Sequence, residues 1–210
     1  MYSESITTSP MIISEDTILR DNGKLENLEI TVRSGVKLQY LLLPSEATQN
    51  TRTFHIQSDA TFMGAGVYYH SDMVQKLSVI LDGKNISADL KLLTLLRDNA
   101  RISVDGIGRV ENGSEDIHLR VDQTNILLGK NISVRGRPVL EIETDSIEGG
   151  HSNRTHRISG EALFYLQSHG IDASTAEGLL LSAEIRRHVG VLGERGEEIA
   201  EQLQTLIVQK

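Results

Sequence analysis

The chain has 210 residues, with 21 Lys and Arg against 29 Asp and Glu, a formal net charge of −8, and neither Cys nor Trp. The acidic balance excludes nucleic-acid or anionic-membrane binding through a broad basic field. The missing Cys excludes disulfides, thiolate metal sites, cysteine nucleophiles and cysteine-held iron–sulfur clusters. The length suffices for one well-buried core plus an appendage. Met1 to Ile13 holds no basic region ahead of a long apolar run, and no stretch of about 18 apolar residues follows, so a cytoplasmic chain with no membrane partner is expected.

Up to about residue 150 the pattern is short alternation between Gly, Asn, Asp and Ser. Ile30–Val32, Val36–Tyr40, Leu77–Leu81, Ile102–Val104 and Ile117–Val121 each place one set of side chains on a single sheet face. Leu90 to Leu96 fits either strand or helix. The turns resemble one another: Gly83-Lys-Asn-Ile-Ser87 returns as Gly129-Lys-Asn-Ile-Ser133, with looser versions at Ser34–Leu38, Ser58–Phe62 and Asp98–Ile102. Self-similarity at uneven spacing predicts stacked coils, a β-solenoid whose inward residues form aliphatic columns. A β-sandwich is the alternative architecture.

Near residue 158 the period changes. Ser159 is a suitable cap for a helix carrying Glu161 in its first turn and ending before Gly170. Ser174 is placed to cap a second helix, with Ala176, Leu179, Leu180 and Ala183 along one stripe. A third shows Ile199, Leu203, Leu206 and Ile207, with Gly190, Gly193 and Gly196 loosening the join. The division expected is a β core over 1–157 and a helical appendage over 158–210, which packs on the core (as a cap on one end of the solenoid), on itself or on a partner.

Residues from about 98 to 185 carry four motifs in one order. They are Val121-Asp-Gln-Thr-Asn-Ile-Leu-Leu128, Arg137-Pro-Val-Leu-Glu-Ile142, Asp145-Ser-Ile-Glu-Gly-Gly-His-Ser152 and Gly160-Glu-Ala-Leu-Phe-Tyr-Leu-Gln-Ser-His-Gly-Ile171. This series resembles the SufB/SufD family of iron–sulfur cluster assembly proteins, on its SufD side. The resemblance implies a right-handed parallel β-helix with C-terminal helices. It also implies pairing through the β-helix with a second copy or a SufB-like chain, and docking of a SufC-like ABC ATPase on the helices. Against the family, the sequence looks shortened, without the N-terminal helical region. The position matching a functional SufB Cys is Ile126, and the SufD loop Cys falls on Gly149, whereas the family His is present as His151.

The expected role is therefore a non-catalytic scaffold, with ATPase activity in a partner; the alternative is a structural β-helix module coupled to an ATPase without iron chemistry. No tightly bound cofactor is expected, only a transient cluster or iron shared with a partner. His151 is the first candidate ligand, in a Gly-rich loop, with Glu148 and His156 near enough in sequence to assist. Phe164, Leu179, Leu180, Arg186 and Arg187 are the candidate partner-binding residues, within a docking element over about 159–190. Gly64-Ala-Gly66 and Gly106-Ile-Gly108 lack the context of phosphate loops. The Asn-x-Ser/Thr sites are coincidences of a turn-rich composition. A carbohydrate-acting β-helix enzyme is disfavoured, since Asp82, Asp89, Asp105, Glu115, Asp116 and Asp122 show no recurring pair spacing.

Overall fold

The computed structural model describes residues 2–3, 6 and 8–208, with side chains described for residues 6, 8–193 and 196–203. Strands come first: β1 (Tyr2–Ser3), β2 (Met11–Ile13), β3 (Thr17–Asp21), β4 (Asn27–Val32), β5 (Lys37–Leu42), β6 (Gln49–Ile56) and β7 (Thr61–Tyr68). They continue with β8 (Met73–Leu81), β9 (Lys84–Leu96), β10 (Arg101–Val110), β11 (Glu115–Leu127), β12 (Ser133–Ile142) and β13 (Ile147–Arg157). Helices α1 (Gly160–Ser168), α2 (Ala173–Val189) and α3 (Glu194–Val208) follow, the last two joined by a 3-10 turn at Gly190–Leu192.

Odd-numbered strands stack as one seven-stranded sheet and even-numbered strands as a six-stranded sheet, each in chain order. Every pairing is parallel. The chain therefore lays one strand on each sheet per coil, which is a β-solenoid. A sandwich of antiparallel hairpins is ruled out. The ambiguous Leu90–Leu96 run is strand, the second half of β9.

Coil length explains the uneven repeat. Thr17 lies beside Leu38, Lys37 beside Thr61, Thr61 beside Ser87 and Lys84 beside Glu115, so the coil grows over these turns before easing slightly in the last, where Ile117 lies beside Ile147. In step, the strands lengthen from 5 residues in β3 to 13 in β9 and β11, and the solenoid widens toward its C-terminal end. Non-glycine residues with positive φ mark the corners: Asp59, Asn85 and Asp116 where the chain enters the seven-stranded sheet, just before β7 and at the second positions of β9 and β11, and Asp72, Asn99 and Asn131 ahead of the six-stranded one. Asn and Asp tolerate this left-handed conformation better than other side chains. They also stack, Asn85 Nδ2 donating to Asp59 Oδ1 over 3.0 Å. The repeated Gly-Lys-Asn-Ile-Ser segments thus occupy opposite corners, because the same turn chemistry serves both.

Inside the solenoid, alternate residues of each strand form one core with columns such as Leu28, Ile30 and Val32. Aromatics are few in the sequence, yet Tyr40, Phe54 and Phe62 are gathered here, with ring centroids 4.7 and 4.6 Å apart. A charged cluster is enclosed with them. Arg52 and Asp21 pair at 2.6 Å with side chains 0% and 3% exposed, and the Tyr40 hydroxyl donates to the same carboxylate. Burial first, and then Asp21, push the Tyr40 phenol well above its ordinary value, so it stays a donor.

A second core lies outside the seven-stranded sheet. Leu41, Leu43, Ala65, Val67, Leu93, Leu95 and Ile126 point outward and meet Leu181, Ile185, Val189, Leu192, Ile199 and Leu203. Each fully buried aliphatic contributes about 1.5–3 kcal/mol, enough in sum to hold helices too short to stand alone. The helical layer therefore covers a flank of the solenoid and leaves its end open, unlike the end cap expected. Two further expectations are corrected. Asp172 rather than Ser174 caps α2, its carboxylate accepting from the N–H groups of Ser174 and Thr175 at 3.1 Å each. The buried stripe of α2 runs Ala176, Leu181, Ile185 and Val189, leaving Leu179 and Ala183 exposed, because the flank receives a face rotated from the one the leucine spacing suggested. Ser159 does cap α1, accepting from Ala162 N–H at 3.2 Å. Leu206 and Ile207 fall outside the described side chains.

Candidate functional site

The open C-terminal end is formed by β12 and β13, the last strands of their sheets, each with one paired and one free edge. Ser133 and Glu143 donate their N–H groups to Ala100 and Val110 of the preceding coil. Backbone groups alternate along a parallel ladder, so the even-numbered residues of β12 face the free edge. Pro138 is one of them, and its missing N–H costs the ladder nothing there. On β13, the Ile117 N–H bond to Ser146 O sets the same alternation. Gly149, His151 and Asn153 consequently present their N–H and C=O groups to the free edge.

His151 stands on β13, not in a loop, directly beside Val121. Two glycines disturb the apolar alternation there, but the one-to-one register with β11 is unbroken from Ile147 to Arg157. Because Val121 belongs to the interior column, the His151 ring points inward and closes the mouth, where no further coil covers it. Its Nδ1 lies 3.1 Å from Pro138 O on the opposite sheet. A carbonyl only accepts, so Nδ1 carries the hydrogen and Nε2 keeps the lone pair. The Asn153 amide likewise donates to Gly136 O at 2.9 Å. Both are cross-mouth contacts that fix β13 against β12 and occupy two of β12's free-edge carbonyls.

Behind them the interior is polar. The Thr94 hydroxyl donates to Asn125 Oδ1 at 2.8 Å, and the Asn125 amide donates onward to Asn153 Oδ1 at 3.1 Å and Thr155 Oγ1 at 3.0 Å. Gln123 donates to Asn125 as well, at 3.1 Å. Gln123 and Asn125 of the Gln-Thr-Asn motif thus line the mouth, while Thr124 faces outward.

Period two separates the other candidates from His151. Glu148 and His156 differ from it by odd numbers of residues and lie on the outer face of β13, far apart along the strand. Glu148 is 3.7 Å from His118. His156 lies beside Ile126 in the second core, its Nδ1 against Arg157 O at 3.0 Å and its Nε2 buried without a partner. The three do not converge, and among the described residues no group of three or more His, Asp or Glu is placed to hold a metal ion. Gly149 shares the inner face with His151, whereas Ile126 is buried under the helices. Sequence reasoning missed Gly136, Pro138 and Asn153, although inward parity with His151 was available to find the last of these.

On the helical layer, Phe164 is 72% and Leu179 45% exposed, and α1 buries none of its residues. Leu180 is half-buried. Arg186 lies 3.5 Å from Glu197, and Arg187 pairs with Glu184 at 2.6 Å. No helix among the described residues is long and apolar enough to cross a membrane.

The class that the fold and this end of it define is a parallel β-solenoid with a polar, histidine-bearing mouth and helices on its flank. Residues 14–184 match the family model of the SUF system FeS cluster assembly SufBD core domain, and the chain belongs to that family. It is 27% identical over 116 residues to the iron-sulfur cluster assembly protein SufD of Bacillus subtilis, covering 55% of this chain and 26% of that protein. With SufD of Escherichia coli it shares 30% over 90 residues, covering 43% and 21%. A SufBD family protein of Staphylococcus epidermidis aligns over 81% of this chain at 20% identity and 35% of its own length. The matches thus span about a fifth to a third of these relatives.

Proposed function

We propose that this chain is a SufD-like scaffold in iron–sulfur cluster assembly, non-catalytic itself, that pairs through the open end of its solenoid. The observation carrying the reading is the free β13 edge with His151 beside it. An unpaired strand edge is a template for another strand. Of the two edges, that of β13 is the more receptive: β12 lacks an N–H at Pro138, and its Gly136 and Pro138 carbonyls are already engaged. The partner is a second copy or a SufB-like chain, and pairing extends the sheet and covers Ile142, which is 43% exposed at the mouth.

The cluster or iron handled there is cargo. His151 can offer it one imidazole through Nε2, with the Pro138 carbonyl orienting the ring from behind, and the thiolates must come from the partner. Glu148 and His156, on the other face, have no place at that junction. The helical layer supplies the docking surface for a SufC-like ATPase, with Phe164 and Leu179 as apolar anchors and Arg186 and Arg187 at the rim. The SufD relatives, named as iron–sulfur cluster assembly proteins, support the role.

The test is anaerobic co-purification of the chain with a SufC-like ATPase and a SufB-like chain, with iron assayed on the complex. Iron retained by the wild type and lost in His151→Ala, with the complex intact, supports the reading. Iron unchanged by the substitution removes His151 from the mechanism. An iron-free complex that still stimulates the ATPase reduces the role to structure.

A further inference from the structure

Between α2 and the outer face of the seven-stranded sheet lies a groove of about 170 Å³, distinct from the mouth. Three strands and one helix deliver cations to it. Lys91 comes from β9, Arg120 from β11, Arg154 from β13 and Arg187 from α2. Arg120 is held by Asp122 at 2.9 Å, and Arg187 by Glu184 at 2.6 Å. Lys91 and Arg154 have no ion-pair partner among the described residues. On the lining four cations stand with the one carboxylate of Asp122, while Glu184 holds Arg187 from outside it and the charges of Asp89 and Glu148 also act on Arg120, in a chain whose net charge is −8. Such a concentration against the protein's overall charge attracts an anion.

Neutral groups complete the lining. Thr124 is 3% exposed, and its hydroxyl makes no hydrogen bond to protein among the described residues. His188 is 4% exposed, with its Nδ1 committed to Glu184 O at 2.9 Å, so Nε2 is the nitrogen left for the groove. Burial first, and then the charges of Arg187 and Lys91 against those of the Glu184 carbonyl and carboxylate, hold His188 below its ordinary value. Asp122, the carboxylate on the lining, is engaged by Arg120 and by the Ser152 hydroxyl at 2.7 Å.

We infer that this groove binds a phosphate-class oxyanion, with Lys91 and Arg154 as the charge partners, Thr124 as a hydrogen-bond donor and His188 as a second donor once protonated. An anion seated there offsets the field of Lys91 and Arg187, and His188 takes up a proton as the anion enters.

The experiment titrates the full chain with inorganic phosphate at low ionic strength. Calorimetry reads the affinity, and the His188 ring proton resonance is followed against pH with and without phosphate. Saturable binding is expected, with an upward move of the His188 midpoint. Both are expected to fall by at least about tenfold in affinity in Lys91→Ala/Arg154→Ala, whose thermal melt checks the fold. Arg154→Gln alone serves should the double variant not fold. Acetate at the same concentration is expected not to move His188. Glycerol phosphate binding more tightly than phosphate assigns a phosphomonoester, and equal binding assigns phosphate itself. The inference is overturned by an unmoved His188 midpoint, by a response unchanged in the variants, or by acetate acting as well as phosphate.

Discussion

The Nδ1 of His151 lies 3.1 Å from the carbonyl oxygen of Pro138, and that contact joins the last strands of the two sheets across the mouth of the solenoid. It fixes which nitrogen is available, so the ring that sequence resemblance singled out is also the ring the fold orients. Asn153 to Gly136 repeats the device two residues on. His151→Gln, which keeps a donor for Pro138, is expected to preserve the thermal melting temperature while removing the imidazole lone pair. A melt lowered as much as in His151→Ala would show that Gln cannot replace the contact.

Arg52 and Asp21 form a buried pair with a second guanidinium nitrogen of Arg52 unpartnered. Arg52→Met alone strands a carboxylate in the core, and a loss of about 3–5 kcal/mol is expected by denaturant unfolding. Arg52→Met with Asp21→Asn is expected to recover much of it, since no charge is then left unpaired. Equal losses in the single and double variants would mean that packing, not charge, governs the site.

At Gly129 a Cβ would lie 2.3 Å from the Asp98 backbone nitrogen, an atom with no freedom to move aside. Gly129→Ala is expected to cost about 1–3 kcal/mol of stability, as overpacking does. Gly150→Ala, with open space around its Cβ and no positive φ, is the comparison expected to cost little beyond its small backbone effect.

His188 titrates below its ordinary value because it is buried, Arg187 and Lys91 adding to the effect. A base with a depressed folded-state pKa is neutral in both states above about pH 6.5, the unfolded value. Below that the unfolded chain takes up the proton first, so stability falls as pH drops from about 6.5 toward the folded-state value. His188→Gln is expected to flatten that part of the stability profile. A slope unchanged by the substitution would exclude His188 as its source.

Much of this architecture is legible in the sequence, and the parts that are not have physical reasons. Alternating runs such as Leu77–Leu81 and the corner residues Asn85 and Asn131 announce strands and turns. The order of coils is hidden because the coil length changes from one turn to the next, which defeats any fixed period. Leucine spacing in α2 misplaced the buried stripe, since Leu179 and Leu180 stand where the helix meets solvent and Leu181 meets the sheet. At the mouth, proximity in sequence suggested that Glu148, His151 and His156 act together. Residues three and five apart on a strand face opposite ways, and recognising β13 as a strand was the missing step.

Phe164→Ser and Leu179→Ser are expected to weaken binding of a SufC-like ATPase by about 1–3 kcal/mol each, a loss typical of apolar anchors, without lowering the melting temperature. Titration calorimetry against the ATPase reads the first quantity. Unaltered affinity in both variants would place the docking surface elsewhere.

Pairing through the open end of the solenoid is read by light-scattering mass measurement of the purified chain, alone and mixed with a SufB-like chain. A paired mass in one of the two samples, reverting to single chains in Ile142→Lys, is the result predicted. Single chains in both samples, or a paired mass that Ile142→Lys leaves intact, would contradict it.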